Sequence, residues 1–532
     1  MKVFRLLRSR RSERESAAKA EAAGSMGSAA HAAYAASATP PVGPLVDTSV
    51  VLRKDSTDLN SLLRSPSSPG AAGSPSSKEG RELKMIPRKL ATLAGTPLCL
   101  VMVGLPARGK SYITQKLVRY LRWRGFLCRE FNAGNKRREQ MGGGGQTADF
   151  FKGASTAREQ IAKETFDELI KWLKEGGHVA VFDATNTTRA RRSKVTQWCR
   201  DAGLQAPIFV ESICDDPDIL DVNYRLKLKN NDYKDMDPKA ALADFMKRVR
   251  EYEAVYEPLA MDGAKDAEEE LSYIKLYNVG RKVVLNRCYG FLVSQIVTIL
   301  QNFHINDRRI FLARHGESVD NVAGRIGGDS KLTDKGKAFA ERLAAFVKEL
   351  RNARRRSLHD PPASEGVARR RAGDPDDSKM MVATSMMRRA LETVQPLKAQ
   401  GDENLHYLHT NQLNEINAGL CEGMTYKEVE RDCPDDFRAR QANKLTYRYP
   451  QGESYIDVVN RLNPVVLDME RLRYDMLVVG HQACIRALMA YFIGTPMEEM
   501  PYLDVPLHSV IEIAPGAFKS KFKVHDLSKD AP

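Results

Sequence analysis

Apolar runs alternate with amphipathic stretches over most of this chain, and the alternation begins at Pro97. Leu98–Val103 is a short continuous apolar run of the kind that forms a buried strand, and Ser111–Arg122 after it has helical spacing. The pair recurs as Val179–Phe182 before Arg189–Cys199, and a third run stands at Ile208–Ile213. Strand–helix alternation predicts an α/β fold, a parallel sheet with crossover helices. It extends to an amphipathic stretch near Arg287–Leu300, where the first domain is expected to end. A second series opens at Arg309–Leu312 and returns at Met380–Ala383 and Met476–Val479. The expected domains are therefore 88–305 and 306–527, with no internal repeat.

Two stretches lack this pattern. Residues 1–87 are rich in Ala, Ser, Gly and Pro and too poor in large apolar side chains to offset the entropy of ordering, so they read as disordered. Basic clusters precede Ser12, Ser56 and Ser65, which makes protein kinases candidate partners of this tail. Residues 353–379 are Arg-, Pro- and Asp-rich and read as a surface loop insertion; Ser357 there follows three arginines.

Composition narrows the function classes. The 532 residues carry 82 Lys and Arg against 68 Asp and Glu, a formal charge of +14. The cations form no stripe interleaved with aromatics, so the excess suits small anionic substrates and no nucleic-acid partner is expected. Eight cysteines are scattered from Cys99 to Cys484 with no CxxC pair, which suits free thiols in a reducing compartment. No apolar run is long enough to cross a bilayer, and Glu13, Glu15 and Glu21 argue against a transit peptide. The expectation is a cytoplasmic protein with no membrane partner.

The first candidate site is Gly104-Leu105-Pro106-Ala107-Arg108-Gly109-Lys110-Ser111, a Walker A pattern placed after a strand and opening a helix. Its backbone N–H groups and helix N-terminus would cradle phosphates, Lys110 would bridge the outer ones, and Ser111 would ligate Mg2+. Asp183 ends the second strand and is placed to hold the same metal; it could equally cap the helix that follows. Arg137, Arg138, Arg158, Arg189, Arg191, Arg192, Lys227 and Arg248 lie outside the loop. Singly each reads as a surface charge; converging, they would imply an anionic acceptor such as a sugar phosphate.

The second candidate site is built from strand ends. Arg314-His315-Gly316-Glu317 follows one strand, Ser385 to Arg389 a second, and Gly480-His481-Gln482 a third, with Arg486 beyond. A neutral imidazole at His315 could attack phosphorus while Arg314 and Arg389 neutralise the phosphoryl oxygens. Glu415, in Asn414-Glu415-Ile416, is the candidate acid for the leaving oxygen. His31, His178 and His359 read as structural or surface residues.

The strings GLPARGKSY, REFN, GGHVAVFDATNTTR, VESIC, RHGES, GRIGGD, CEGMTY, RYPQGESY and GHQA together resemble the 6-phosphofructo-2-kinase/fructose-2,6-bisphosphatase family over about Pro97 to Val524. The resemblance implies a P-loop kinase domain with a parallel-rich sheet, followed by a phosphoglycerate-mutase-like histidine phosphatase domain. It implies transfer of the γ-phosphate of MgATP to the 2-hydroxyl of fructose 6-phosphate, and removal of that phosphate from fructose 2,6-bisphosphate through a phosphohistidine. The ATP loop falls on Gly104–Tyr112 and the catalytic aspartate on Asp183. Sugar-phosphate contacts fall on Arg137, Arg158, Thr185, Arg191, Lys227, Arg248 and Tyr252, with Lys227 also counted as catalytic. In the phosphatase half the nucleophile falls on His315, the acid on Glu415 and the second histidine on His481. Substrate contacts fall on Arg314, Asn321, Gly327, Arg389, Tyr426, Arg440, Lys444, Tyr455, Gln482 and Arg486. The family's dimers suggest a homodimer.

One departure stands beside the acid. Asn417 replaces the aspartate of the family's usual NEIDAG, which is expected to lower the pKa of Glu415 by removing a like charge. An enzyme keeping only one of the two activities and a sugar-phosphate sensor without turnover are the competing readings. Loss of Lys110, His315 or Glu415 would mark them, and all three are present.

Overall fold

The computed structural model describes residues 96–141, 155–228, 233, 236–260, 267–305, 308–359, 379–516 and 520–529. The readings of 1–87 as disordered and of its serines as kinase targets, and of 360–378 as loop, fall outside these residues.

The first half opens with β1 (Leu98–Val103), α1 (Lys110–Trp123), β2 (Cys128–Asn132), α2 (Ala133–Met141), α3 (Ser155–Lys174) and β3 (Val179–Asp183). It continues through α4 (Arg189–Asp201), β4 (Ile208–Ile213), α5 (Pro217–Leu228), α6 (Pro238–Ala254), β5 (Ser272–Tyr277), β6 (Lys282–Asn286) and α7 (Phe291–Asn302). The strands form one sheet in the order β2-β3-β1-β4-β5-β6, parallel except for β6. β1 and β3 are buried along their whole length, as strands covered by helices on both faces must be, and this is why they read as unbroken apolar runs.

The second half comprises β7 (Ile310–Arg314), α8 (Val319–Val322), α9 (Asp334–His359), β8 (Met380–Thr384), α10 (Arg388–Ala399) and β9 (Leu405–His409). It ends with α11 (Tyr426–Asp432), α12 (Pro434–Ala442), α13 (Tyr455–Arg471), β10 (Asp475–Gly480), α14 (Gln482–Ile493), β11 (Ser509–Ala514) and β12 (Lys521–Asp526). Its sheet runs β12-β11-β7-β10-β8-β9, with β7 to β10 parallel and β11 and β12 antiparallel at one edge. α9 corrects one expectation, because residues 353–359 continue the helix and do not start the loop. They contain no Gly or Pro, so nothing in this stretch breaks the helix.

The halves share a core. One apolar cluster takes Leu117 and Leu121 from α1, Ile296 and Ile299 from α7, Leu462 and Val466 from α13, and Leu488 and Tyr491 from α14. Burying each such side chain contributes about 1.5–3 kcal/mol. α1 and α14 begin at the two candidate sites, so the helices that open the sites are packed into the joint between domains.

Candidate active sites

In the first half the loop after β1 is shaped by backbone that other residues do not tolerate. Gly104 has φ +134°, and a Cβ there would stand 2.6 Å from the Ser212 carbonyl oxygen. Gly109, at φ +85°, caps the start of α1. Lys110 is buried, and its Nζ donates to the carbonyls of Gly104 at 2.8 Å and Leu105 at 2.6 Å. Burial pushes its pKa down to about 7; Asp183 opposes this, while Lys227 and Arg108 add to it. The Ser111 hydroxyl donates to Asp183 Oδ2 at 2.8 Å, and Asn132 Nδ2 donates to the same oxygen at 2.7 Å. A hydroxyl and a carboxylate joined at the mouth of a phosphate loop fit a magnesium site completed by water and phosphate. Among the described residues no cluster of three His, Cys, Asp or Glu could hold a metal by itself.

These groups open into a cavity of about 480 Å³ lined by Pro106, Ala107, Gly109, Lys110, Ser111 and Tyr112 from the loop, and by Asp183 and Thr185 from the end of β3. Arg137, Arg138, Arg158, Arg191, Lys227, Arg248 and Tyr252 line it as well. The walls therefore carry seven cations, including Lys110, against the carboxylates of Glu159 and Asp183. The structure thus brings together every sugar-phosphate position expected there. It does not bring in three of the other basic residues. Arg192 is fully buried in a two-bond ion pair with Glu268 at 2.7 and 2.8 Å, a structural role. Arg189 lies off the cavity, and Arg108 turns to Tyr224 and Glu253 at 3.1 and 3.2 Å. Nor does Asp183 cap α4, since Thr188 does so by accepting the Arg191 N–H. Sequence reading missed Glu130 on β2, whose pKa is raised to about 7 by burial and then by Asp183. Its only signal was membership of the REFN string.

In the second half, strand register sets the centre. Gly480 pairs with Arg314 across β10 and β7, so the next residues, His481 and His315, emerge side by side; their rings are 5.0 Å apart. His315 Nδ1 lies 2.7 Å from the Gly316 carbonyl, which can only accept, so Nδ1 carries the proton. Nε2 is then the lone-pair nitrogen, and it accepts from Arg389 Nε at 3.0 Å. Burial, then Arg389 and Arg314, holds the pKa of His315 well below its ordinary value. His481 is likewise depressed by burial, then by His315 and Arg389. Two neutral imidazoles among arginines can serve as one nucleophile and one donor for a phosphoryl group.

Arg314 Nη1 donates to the Val505 carbonyl at 3.2 Å, while its Nε is buried with no partner among the described residues. Burial pushes its pKa down to about 10, with Glu415 opposing and Arg486 adding to the effect. Glu415 sits on the N-terminus of α14, where its carboxyl accepts the N–H groups of Gln482 and Ala483 at 3.1 Å and of Ile416 at 2.9 Å. The Asn417 expectation changes here. Asn417 is exposed, and its Oδ1 accepts the Gly419 N–H at 2.8 Å, capping a short turn; no hydrogen bond joins it to the Glu415 side chain.

A second cationic group stands beyond. Arg440 donates to the Tyr426 and Tyr449 hydroxyls at 2.9 Å, and Arg486 to the Tyr455 hydroxyl at 3.2 Å. Lys444 Nζ donates to the Pro501 carbonyl at 2.9 Å, and burial, Arg486 and Arg440 push its pKa down to about 7. Gly327 has φ +70°, and its missing Cβ leaves room for Glu422. Asn321 closes a capping box with Ser318 at the start of α8. Sequence reading missed Glu422, Thr393, which accepts the Gly316 N–H at 2.9 Å, and His508, which accepts the Glu317 N–H at 3.3 Å. The only signal for Glu422 was membership of the CEGMTY string, and Thr393 and His508 stand in no motif.

Residues 88–307 match the 6-phosphofructo-2-kinase family profile, and residues 310–356 and 365–526 match the histidine phosphatase superfamily (branch 1). A Schizosaccharomyces pombe protein named as a probable 6-phosphofructo-2-kinase is 39% identical over 86% of this chain and 73% of its own length. The Aquarana catesbeiana 6-phosphofructo-2-kinase/fructose-2,6-bisphosphatase is 42% identical, covering 80% of this chain and 84% of that protein. The Homo sapiens 6-phosphofructo-2-kinase/fructose-2,6-bisphosphatase 3 is 41% identical, covering 80% and 76%.

Proposed function

Because this chain belongs to the 6-phosphofructo-2-kinase/fructose-2,6-bisphosphatase family, we propose that it performs both reactions of that name, each in its own half. It makes fructose 2,6-bisphosphate from fructose 6-phosphate and ATP, and hydrolyses it again, so it sets the level of a signal for glycolysis and gluconeogenesis. One observation carries the reading: a phosphate loop opening on a cationic cavity and a buried His315–His481 pair among arginines occupy one chain.

In the kinase half, the arginines and Lys227 of the cavity hold the sugar phosphate and bring its 2-hydroxyl to the γ-phosphate. Lys110 leaves its own loop carbonyls for the outer phosphates, where its charge offsets the build-up on the transferring group. Ser111 and Asp183 would hold Mg2+, which when bound neutralises phosphate charge.

In the phosphatase half, His315 Nε2 attacks the 2-phosphate, and the bond from phosphorus to the sugar oxygen breaks as the new P–N bond forms. Arg314 and Arg389 stabilise the phosphoryl oxygens, and Glu415 gives a proton to the departing sugar oxygen. Glu415 then takes a proton from water as that water displaces His315. The cluster of Arg440, Lys444, Tyr455 and Arg486 receives the other phosphate of the sugar.

A kinase-only reading has the name of the Schizosaccharomyces relative in its favour. Against it stand His315, His481 and Glu415, all present and grouped. Incubation with 2-phosphate-labelled bisphosphate, followed by alkaline trapping, tests the point. A labelled phosphohistidine is expected, and a folded chain that makes the bisphosphate without ever carrying label would leave the kinase alone.

Assembly and location follow the same family reading. Among the described residues β6 pairs only with β5, and Leu285, Tyr289 and Phe291 lie exposed on or beside that edge, which supports a homodimer joined there. All eight cysteines are free thiols and no described helix is long and apolar enough to cross a membrane, which supports a cytoplasmic location.

A further inference from the structure

The second histidine has a partner the reaction does not yet use. Ser385 follows β8 directly, is fully buried, and places its Oγ 2.7 Å from Nε2 of the equally buried His481. The same oxygen accepts the Met387 N–H at 3.3 Å. A hydroxyl has one proton and two acceptor positions. With Met387 donating to the oxygen, the only described acceptor for the hydroxyl proton is His481 Nε2. A neutral imidazole accepting at Nε2 carries its own proton at Nδ1. That Nδ1 is buried and has no hydrogen-bond partner among the described residues.

An unpaired buried donor costs about 1–3 kcal/mol, so it persists where something else satisfies it. The His481 ring stands 5.0 Å from that of His315, so an oxygen of a phosphoryl group carried by His315 is the candidate acceptor for this donor. In the other tautomer the ring would face that oxygen with a lone pair and repel it. The tautomer of His481 therefore decides whether the second histidine assists or opposes transfer.

Resting on the phosphatase reading above, we propose that Ser385 is a positioning residue of the bisphosphatase, holding His481 as its Nδ1–H tautomer so that the ring donates to the phosphoryl group in flight. Ser385 also steadies the acid, since Met387, bonded to its Oγ, accepts the Glu415 N–H through Sδ at 3.5 Å.

The test compares Ser385→Ala and Ser385→Thr in the full chain, measuring phosphohistidine formation, steady-state hydrolysis and kinase rate on each preparation. Alanine lets His481 sample both tautomers; threonine keeps the hydroxyl. The expected result for alanine is a loss of about tenfold to a hundredfold in the rate of phosphohistidine formation, the scale of losing a bond that orients a metal-ligating imidazole. KM for the bisphosphate should stay within about threefold, because the loss is confined to the transition state. The kinase rate should be unchanged, and threonine should recover most of the loss. Formation at the normal rate in the alanine variant, or a raised KM with normal turnover, would overturn the proposal. So would a parallel fall in kinase activity in both variants, which would make Ser385 a folding residue. Absence of phosphohistidine in the unaltered chain would remove the phosphatase reading itself, and the role of Ser385 with it.

Discussion

Lys116 and Glu470 meet across the domain boundary, with Nζ 2.7 Å from Oε2 and both side chains withdrawn from water. Lys116 belongs to the helix that begins at the phosphate loop, and Glu470 to the end of α13 in the other half. Arg308, in the connecting segment, approaches the same carboxylate at 3.4 Å, and the Tyr491 hydroxyl donates to Oε1 at 2.7 Å. Burial alone would raise the pKa of Glu470, yet Lys116 and Arg308 hold it well below the carboxylate range.

This network makes the two halves one cooperative unit. Glu470→Leu strands two buried cations and should destabilise the chain by about 3–5 kcal/mol. Adding Lys116→Met should restore part of that loss, because the uncompensated charge goes with it. The sign with pH follows from the depressed folded value: the contribution of Glu470 is present above the ordinary carboxylate range and fades as pH falls through its folded pKa. Thermal melts followed in both halves, by nucleotide and by bisphosphate protection, would check it. Separate transitions in the unaltered chain would count against a single unit.

Lys110 sets the pH response of the kinase. With its pKa near 7 in the free protein, it is progressively neutral above that pH, and phosphate binding must draw it back to the ammonium form. ATP affinity should therefore be greatest below pH 7 and weaken as pH rises, by up to about tenfold per unit while the free lysine is neutral and the bound one charged. Lys110→Met should abolish kinase turnover, flatten this slope and leave hydrolysis intact. Equilibrium nucleotide binding across pH 6.5–9, a range of about 2.5 units, provides the check. An unchanged slope in the methionine variant would assign the titration to another group.

These outcomes separate what the sequence discloses from what it hides. β1, β3, β7, β8 and β10 are legible because helices cover both faces and leave unbroken apolar runs. β2 and β12 are not, since as edge strands they mix apolar residues with Arg, Glu and Lys. Lys110, Asp183, His315 and His481 stand at strand ends and carry motifs. Glu422, Thr393 and His508 act through hydrogen bonds to backbone, which no spacing encodes. The Lys116–Glu470 pair is 354 residues apart in sequence, and each member reads alone as a solvated charge.

Gly327 tests the architecture without removing a charge. Its φ is +70°, and a Cβ would fall 1.8 Å from Glu422 Oε2, a carboxylate already bonded to the N–H groups of Gly328 and Ala418 at 2.8 Å. Gly327→Ala should add about 1–2 kcal/mol of backbone strain and displace Glu422 as well. Arg389 Nη1 donates to the Gly328 carbonyl at 2.6 Å, so the disturbance reaches the arginine that faces His315. Phosphatase turnover should fall by at least about tenfold with kinase activity retained. Equal loss of both rates would mean that the loop supports the whole fold.

Lys444 gives the sharpest electrostatic prediction for the phosphatase. Its pKa is pushed down to about 7 by burial and by Arg486 and Arg440, so the free enzyme holds it partly neutral near pH 7. A phosphate entering this cluster adds negative charge and raises the lysine pKa, so binding takes up a proton. KM for the bisphosphate should therefore rise as pH climbs from 7, while the rate of phosphohistidine formation at saturation changes little. His315 plays no part in that slope, because burial and the arginines keep it neutral across the range. Lys444→Met should raise KM about tenfold to a hundredfold at pH 7 or below, the scale of one lost charge-assisted contact of about 1.5–3 kcal/mol. It should also remove the pH dependence of KM above 7. Single-turnover rates alongside KM at each pH distinguish this from an effect on chemistry; a variant whose turnover falls while KM keeps its slope would place Lys444 outside the recognition of substrate.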